Sequence, residues 1–372
     1  MRLVPSPEQS AFAAALHDLL ASADVPGAAA RWADGDHGPG RRVWSLLAEV
    51  GVTGLAVPVR FGGLGAEPAD LVVAAEELGH HALPGPVAES LAAVPTLLTS
   101  LAAVDKTTEL PGSADNATAP HEDADADAPT LRGEAEKWLP ELAAGRILAT
   151  LAAPPWLPYA ADADAADLVL LAEGETAGAD RKGADPKGAG RAGVGRAGVR
   201  AYPSFDRTRR LFEVSAVCAL TPCSSTARAL DLGALLAAAQ LLGAGRALLE
   251  AAVTHARTRQ QFGGPIGRFQ AVQHRLADVA VGLEFARPLL HAAAVTLTAR
   301  DVSAAKVACA EAAQRAARAA LQVHGAIGYA EEQGLARYLT KVRALALSWG
   351  TPAQHRARVM AELTRECAHG TE

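Results

Sequence analysis

The residues with the most chemical capacity lie in one stretch, HARTRQQFGGPIGRFQAVQHRLADVA, residues 255–280. It sets four arginines (Arg257, Arg259, Arg268 and Arg275) and several glutamines around a Gly-Gly-Pro break, with strongly apolar sequence on either side. A guanidinium offers paired donors in a fixed fork that matches phosphate oxygens. Spacing alone admits two readings: a solvated helix–helix turn, or an anion-binding corner for a phosphate-bearing cofactor. A second cluster, His121 with Glu122, Asp123, Asp125 and Asp127, imitates a metal site. Its surroundings, GSADNATAPHEDADADAP, are small, acidic and aperiodic. Nothing there holds the carboxylates in a coordination shell, so a solvated loop is expected and no metal site. Four cysteines, Cys218, Cys223, Cys309 and Cys367, show no CxxC spacing and read as free thiols in a reducing cytosol.

The elements that must position these groups are mostly helical. The 372 residues suffice for two or three domains, and Ala, the best helix former, is abundant. A formal net charge of −6 argues against a general nucleic-acid partner. The start, MRLVPSPEQS, has no apolar signal core. The uncharged run LGALLAAAQLLGAG, between Asp231 and Arg246, is too short to span a bilayer and carries Gln240. A cytoplasmic protein with no membrane partner is expected.

Residues 1–111 read as an N-terminal helical domain. Ser6, Pro7 and Gln9 resemble a capping box, and Phe12, Leu16 and Leu19 share a face. Val43, Leu46, Leu47 and Val50 mark a second helix, and PADLVVAAEELG a third, opened by Pro68. Between them GVTGLAVPVRFGGLGAE is a glycine-rich loop without the strand and helix of a dinucleotide fingerprint. Residues 112–135 read as an acidic linker and 136–222 as a shortened central β domain. Its strand-like pieces are ILATLAA, ADLVLLAE and TRRLFEVSAVCAL. The last alternates, with Phe212, Val214, Ala216 and Cys218 on one face. Residues 174–199, with GRAGV twice, read as a low-complexity surface loop. Residues 223–372 read as a four-helix bundle: 226–257, apolar nearly all round, a helix carrying Phe269, Val272, Leu276 and Val279, then 302–323 and about 334–347.

This order, with its motifs, resembles the acyl-CoA dehydrogenase family. LAEVGVTGLAVPVRFGGLG is similar to the family's L-x-x-x-G-x-x-G-x-x-x-P-E-x-x-G-G-x-G loop, with Val59 for the usual Glu. RTRQQFGGPIGRFQAVQHRLADVA is similar to its R-x-x-F-G-x-x-I-x-x-F-Q-x-x-x-x-x-L-A-D signature, and LQVHGAIGYAEE to its Q-x-x-G-G-x-G-Y/F-x-x-E turn, with Ala326 at the second glycine. The resemblance implies a mainly α fold with a small β domain and FAD lying across a subunit interface. It gives Arg259 the pyrophosphate, Phe262 packing against the cofactor and Gln270 a hydrogen bond to it. Gln322 and the backbone near Gly325, from the neighbouring subunit, would meet the adenosine part. It further implies an acyl-CoA thioester substrate in fatty acid metabolism, a homo- or hetero-oligomer with another family subunit, and an electron-transfer flavoprotein as acceptor.

The pattern breaks where the family places its base. That glutamate removes the proton α to the thioester and must reach it. At one family position, before a Gly-Thr near the chain end, stands Trp349; at the other, early in the first bundle helix, stands Gly233. Neither accepts a proton. Asp231 lies two residues from Gly233, on a different side of the helix, and Glu331 and Glu332 follow the HGAIGY turn. The family's T-E-P-x-x-G-S-D flavin segment is replaced by PPWLPY. Three readings follow: a divergent dehydrogenase with its base elsewhere, a non-catalytic subunit completing a partner's FAD site, or a scaffold that no longer binds flavin.

Overall fold

The computed structural model describes residues 4–103, 131–173, 190–198, 200–217, 221–223, 225–329 and 334–369. His121 with its carboxylate neighbours, Cys218, Glu331 and Glu332 lie outside them. The N-terminal helices are α1 (Pro7–Ser22), α2 (Val25–Ala33), α3 (Gly38–Glu49), α4 (Pro68–His80), α5 (Val94–Ala103) and α6 (Leu131–Ala143). The Ser6 capping box forms: the Gln9 N–H donates to Ser6 Oγ at 3.2 Å and the Ser6 N–H to Gln9 Oε1 at 3.0 Å. The glycine-rich loop coils into two short 3-10 turns, Val52–Gly54 and Val59–Phe61. α6 packs on α5 and on these turns, so helix continues to Ala143 before the first strand.

The central strands are β1 (Ala149–Ala152), β2 (Ala160–Ala161), β3 (Leu168–Glu173), β4 (Gly190–Ala197), β5 (Leu211–Phe212), β6 (Val214–Ala216) and β7 (Thr221–Cys223). One sheet runs β1-β3-β4-β6, with β7 also on β4, and β2 pairs β5 separately. Two expectations are corrected here. Residues 190–197 are not part of a loop but form β4, which pairs antiparallel with β3, β6 and β7. GRAGVGRA lacks an apolar alternation because small residues are what its place requires: a Cβ on Gly195 would lie 2.3 Å from Val214 Cγ1. The alternating segment around Phe212 is not one strand. It passes from β2 to β4 at Glu213, so Phe212 is buried while Val214 is half-buried and Ala216 exposed.

The C-terminal helices are α7 (Thr226–Thr258), α8 (Gln270–Thr296), α9 (Ala299–His324) and α10 (Leu335–Leu347). The hairpin β8 (Gln260–Gln261) and β9 (Gly264–Pro265) joins α7 to α8. A further helix, α11 (Pro352–His369), packs on α9. α7 and α8 are both long and apolar enough to cross a membrane, although the uncharged run within α7 alone is too short; 89% of the apolar window of α7 is buried inside the protein. It touches α4, α8, α9 and α10. Against α4 the contact is backbone to backbone: a Cβ on Gly243 would lie 1.8 Å from the Glu76 carbonyl oxygen, and one on Gly79 2.2 Å from that of Gln240.

Gly243→Ala forces α4 and α7 apart and is expected to lower stability by about 1–3 kcal/mol or more, the range of overpacked cores. Gly198→Ala, where the nearest atom is 3.6 Å away, serves as the control. Equal melting temperatures for the two variants would show that the close approach carries no load.

Candidate active site

The arginine-bearing elbow is a tight hairpin. Phe262 (φ 52°) and Gly263 (φ 79°) both take left-handed backbone, the geometry of a two-residue turn matched to strand twist. The Arg268 guanidinium holds this turn by donating to the Phe262 and Gly263 carbonyls. It is thereby spent on the protein's own backbone. The turn lifts Phe262 into the open, 82% exposed, with its ring edge-to-face with Phe269 at 6.0 Å. Arg259 is the C-cap of α7; its N–H donates to the His255 carbonyl. Its side chain is exposed and among the described residues has no hydrogen-bond or ion-pair partner. Gln270, also exposed, is the first residue of α8.

Because α8 runs back along α7 and α9 returns, the C-terminus of α9 meets the same end of the bundle. The His255 and His324 rings stack at 4.2 Å and join the two helix ends. Gln322 lies one turn before the cap of α9, and Gly325 (φ 63°) is that cap, with open space where a Cβ would stand. The structure therefore brings all five expected binding residues to one end of a single chain. Gln322 and Gly325 line a groove of about 640 Å³ together with Arg275, Arg315 and Arg318. Arg259, Phe262 and Gln270 do not line it but sit on the elbow that follows His255. Arg315 and Arg318, on α9, belong to the groove although no motif marks them; their three-residue spacing on one helix is the signal that finds them. Guanidiniums around a groove of this size suit the diphosphate and adenosine end of a dinucleotide.

The other end of α7 is built differently. The two positions that lack a base face each other. Trp349, 2% exposed, lays its ring against Gly233, where a Cβ would lie 2.1 Å from it. Trp349 takes φ 57°, uncommon for a bulky residue. Its carbonyl lies 2.8 Å from His355 Nε2, and the other ring nitrogen of His355 is 3.1 Å from Ser303 Oγ. Asp231 is buried and held by Arg358 through both its oxygens. Burial still raises its pKa in spite of that cation. The PPWLPY segment doubles back, with Ala153 and Leu157 exchanging backbone hydrogen bonds. Trp156 then packs on Gly350 and His355 at the α10–α11 junction.

One carboxyl beside this region went unread in the sequence. Glu89 sits on a single π-helical turn, Glu89–Ala93, 3% exposed, with Arg209 Nη2 at 3.6 Å. Burial raises its pKa. The space it shares with Trp349, Arg209 and Lys341 is about 10 Å³, barely room for one water and none for an acyl chain. Its signal was available: a lone acid within the apolar run PVAESLAAVPTLL. A larger cleft of about 450 Å³ opens between Trp156, Tyr159, Phe205 and Leu347, and its walls are mainly apolar and aromatic. Among the described residues no carboxylate lines it. The residues present thus fit the dinucleotide end of FAD at the elbow and do not supply a base at either family position.

The helical, β and helical order together with this elbow defines a class. Residues 6–109 match the acyl-CoA dehydrogenase N-terminal domain and residues 224–364 the acyl-CoA dehydrogenase C-terminal domain. Acyl-CoA dehydrogenase IpdE2 of Mycolicibacterium smegmatis is 30% identical over 322 residues, covering 86% of this chain and 88% of that protein. Its namesake in Mycobacterium tuberculosis is 29% identical over 362 residues, covering 97% and 99%. The solved glutaryl-coenzyme A dehydrogenase in its glutaryl-CoA complex superposes with a TM-score of 0.75 at 20% identity, covering 98% of this chain and 97% of that one. The chain belongs to the acyl-CoA dehydrogenase family. Membership supports an acyl-CoA dehydrogenase-type flavoprotein oxidoreductase function.

The contact between Gly233 and Trp349 makes a coupled pair. Gly233→Ala drives a methyl into the indole, and Trp349→Ala leaves a cavity worth about 3–5 kcal/mol. In the Trp349→Ala background the added methyl has room, so Gly233→Ala should there be neutral or stabilising. Strictly additive unfolding energies in the double-mutant cycle would remove the pairing.

Proposed function

We propose that this chain serves an FAD-dependent acyl-CoA dehydrogenase as a subunit that binds the dinucleotide end of the flavin, while a partner subunit of the same family supplies the base. The observation that carries the reading is the packing of Trp349 on Gly233, which fills one base position with the side chain of the other. Two further features support it. Arg259 and Phe262 are presented outward, where a neighbouring subunit's ligand could meet them. The apolar residues Val281, Phe285 and Leu289 repeat at four-residue spacing along α8 and are 53%, 74% and 46% exposed. Such a stripe suits burial against another subunit.

In this reading Arg259 grips the diphosphate with charge-assisted hydrogen bonds. Phe262 packs against the cofactor and Gln270 hydrogen-bonds it, while Gln322 and the backbone at Gly325 meet the adenosine part of the flavin held by the neighbouring subunit. The bound flavin supplies the hydride acceptor for α,β-dehydrogenation of an acyl-CoA thioester, with an electron-transfer flavoprotein as onward acceptor. This chain's own share is binding and orientation; the α proton leaves to a carboxylate of the partner.

Expressed alone, the chain should be colourless, and co-expressed with a family partner it should be yellow and bleach with an acyl-CoA. Arg259→Ala in the complex should weaken flavin retention about 10- to 100-fold, as the loss of one charged hydrogen-bonding group implies. Flavin bound and bleached by the chain alone would overturn the division of labour. A complex whose flavin content ignores Arg259→Ala would overturn the role of the elbow.

A further inference from the structure

Away from the elbow, three histidines that no motif connects meet between α1 and α4. His17 comes from the middle of α1, His80 is the last residue of α4, and His81 caps it. One ring nitrogen from each lies within 4.8 Å of the other two. The rings are 4.7–5.1 Å apart, centre to centre. We propose that His17, His80 and His81 form a structural binding site for one zinc-class divalent cation that ties α1 to the end of α4.

Hydrogen bonding alone leaves this cluster unsatisfied. His17 Nδ1 is 3.0 Å from Glu77 Oε2 and 3.3 Å from His81 Nε2. A proton on that nitrogen can be directed to only one of the two; without it, the carboxylate has no donor there. His80 Nδ1 is buried and has no hydrogen-bond partner among the described residues, in a residue only 7% exposed. Such a lone pair is costly in a protein interior unless something accepts it. A metal ion does. Zinc–nitrogen bonds of about 2.0–2.1 Å in a tetrahedral shell place two donors roughly 3.3 Å apart, the separation His17 and His81 already have.

The surroundings are those that orient imidazoles for a metal. Glu250 Oε2 is 3.5 Å from His80 Nε2 and can hold that ring through the nitrogen opposite Nδ1, while Glu77 Oε2 lies 3.0 Å from His17 Nδ1, the same nitrogen that faces His81. Glu77 is itself fixed by Arg246 at 2.9 Å through its other oxygen. Arg246 and Arg337 are the cations nearest the site, and Glu76, Glu77 and Glu250 offset them. The main chain is held as well: Tyr338 Oη donates to the His80 carbonyl at 2.7 Å, linking α10 to the same point.

The test uses the full chain, stripped with a chelator and titrated with zinc chloride, then with cobalt chloride for its visible spectrum. One zinc per chain is expected, with the intense visible bands of tetrahedral cobalt. His17→Gln and His81→Gln keep a hydrogen-bonding side chain at half-buried positions. Each should weaken zinc binding by about 100-fold while leaving the metal-free melting temperature nearly unchanged. Zinc should raise the melting temperature of the wild type and not that of the variants. Failure to bind zinc, or binding that survives both substitutions, overturns the proposal. Neither result bears on flavin retention, which the elbow governs.

Discussion

α7 has almost no solvent face between Ala229 and Leu248, and the rest of the molecule is arranged around that fact. Helices on every side require small residues at the contacts, which is why Gly243 and Gly245 lie within it and Gly79 opposite. They also require each polar group on the helix to bring its partner inward. Asp231 has Arg358, Arg246 has Glu76 and Glu77, and the Gln240 amide turns back to the Leu236 carbonyl. A helix buried in this way has no room for chemistry along its length.

At the N-terminal end Gly233 and Trp349 are more than two separate departures from a motif. Gly233 is small because Trp349 is large, and Trp349 turns into left-handed backbone to reach it. Returning a carboxylate to position 233 would drive it into the indole. Returning one to position 349 would leave a void beside a glycine. Trp156 extends the same packing, seated on Gly350 and His355. The two changes support one another, and neither can be reversed alone.

Much of this was legible from the sequence. The Ser6 cap, the Pro68 helix start, the all-round apolar α7 and the elbow follow from local patterns, and local interactions form them. The missing pieces depend on distance. β4 is written in glycine, alanine and arginine and becomes a strand only because β3, β6 and β7 offer it partners. α11 begins at PAQHRARVMAELTRECAH, which carries little apolar surface, and it is fixed by α9 rather than by its own stripe. Gly233 and Trp349 are each visible as departures from a motif, yet nothing local says that they touch. His17 stands about sixty residues from His80 and His81, so no spacing rule joins them.

At the C-terminal end electrostatics explains the number of arginines. α7 and α9 both finish there, and a helix C-terminus carries a partial negative charge from its unpaired carbonyls. Two such ends side by side repel a phosphate, and the N-terminus of α8 at Gln270 offsets only one of them. An anion site in this corner therefore cannot rest on helix dipoles, as one at a helix N-terminus does. It has to be made from side-chain charge. The side-chain charge available there is that of Arg275, Arg315 and Arg318, which line the groove with Asp278, and of the exposed Arg259 beside it, while Arg268 is consumed in holding the hairpin that carries Phe262. His255 and His324, stacked across the two helix ends, join those ends, and burial lowers the His255 pKa.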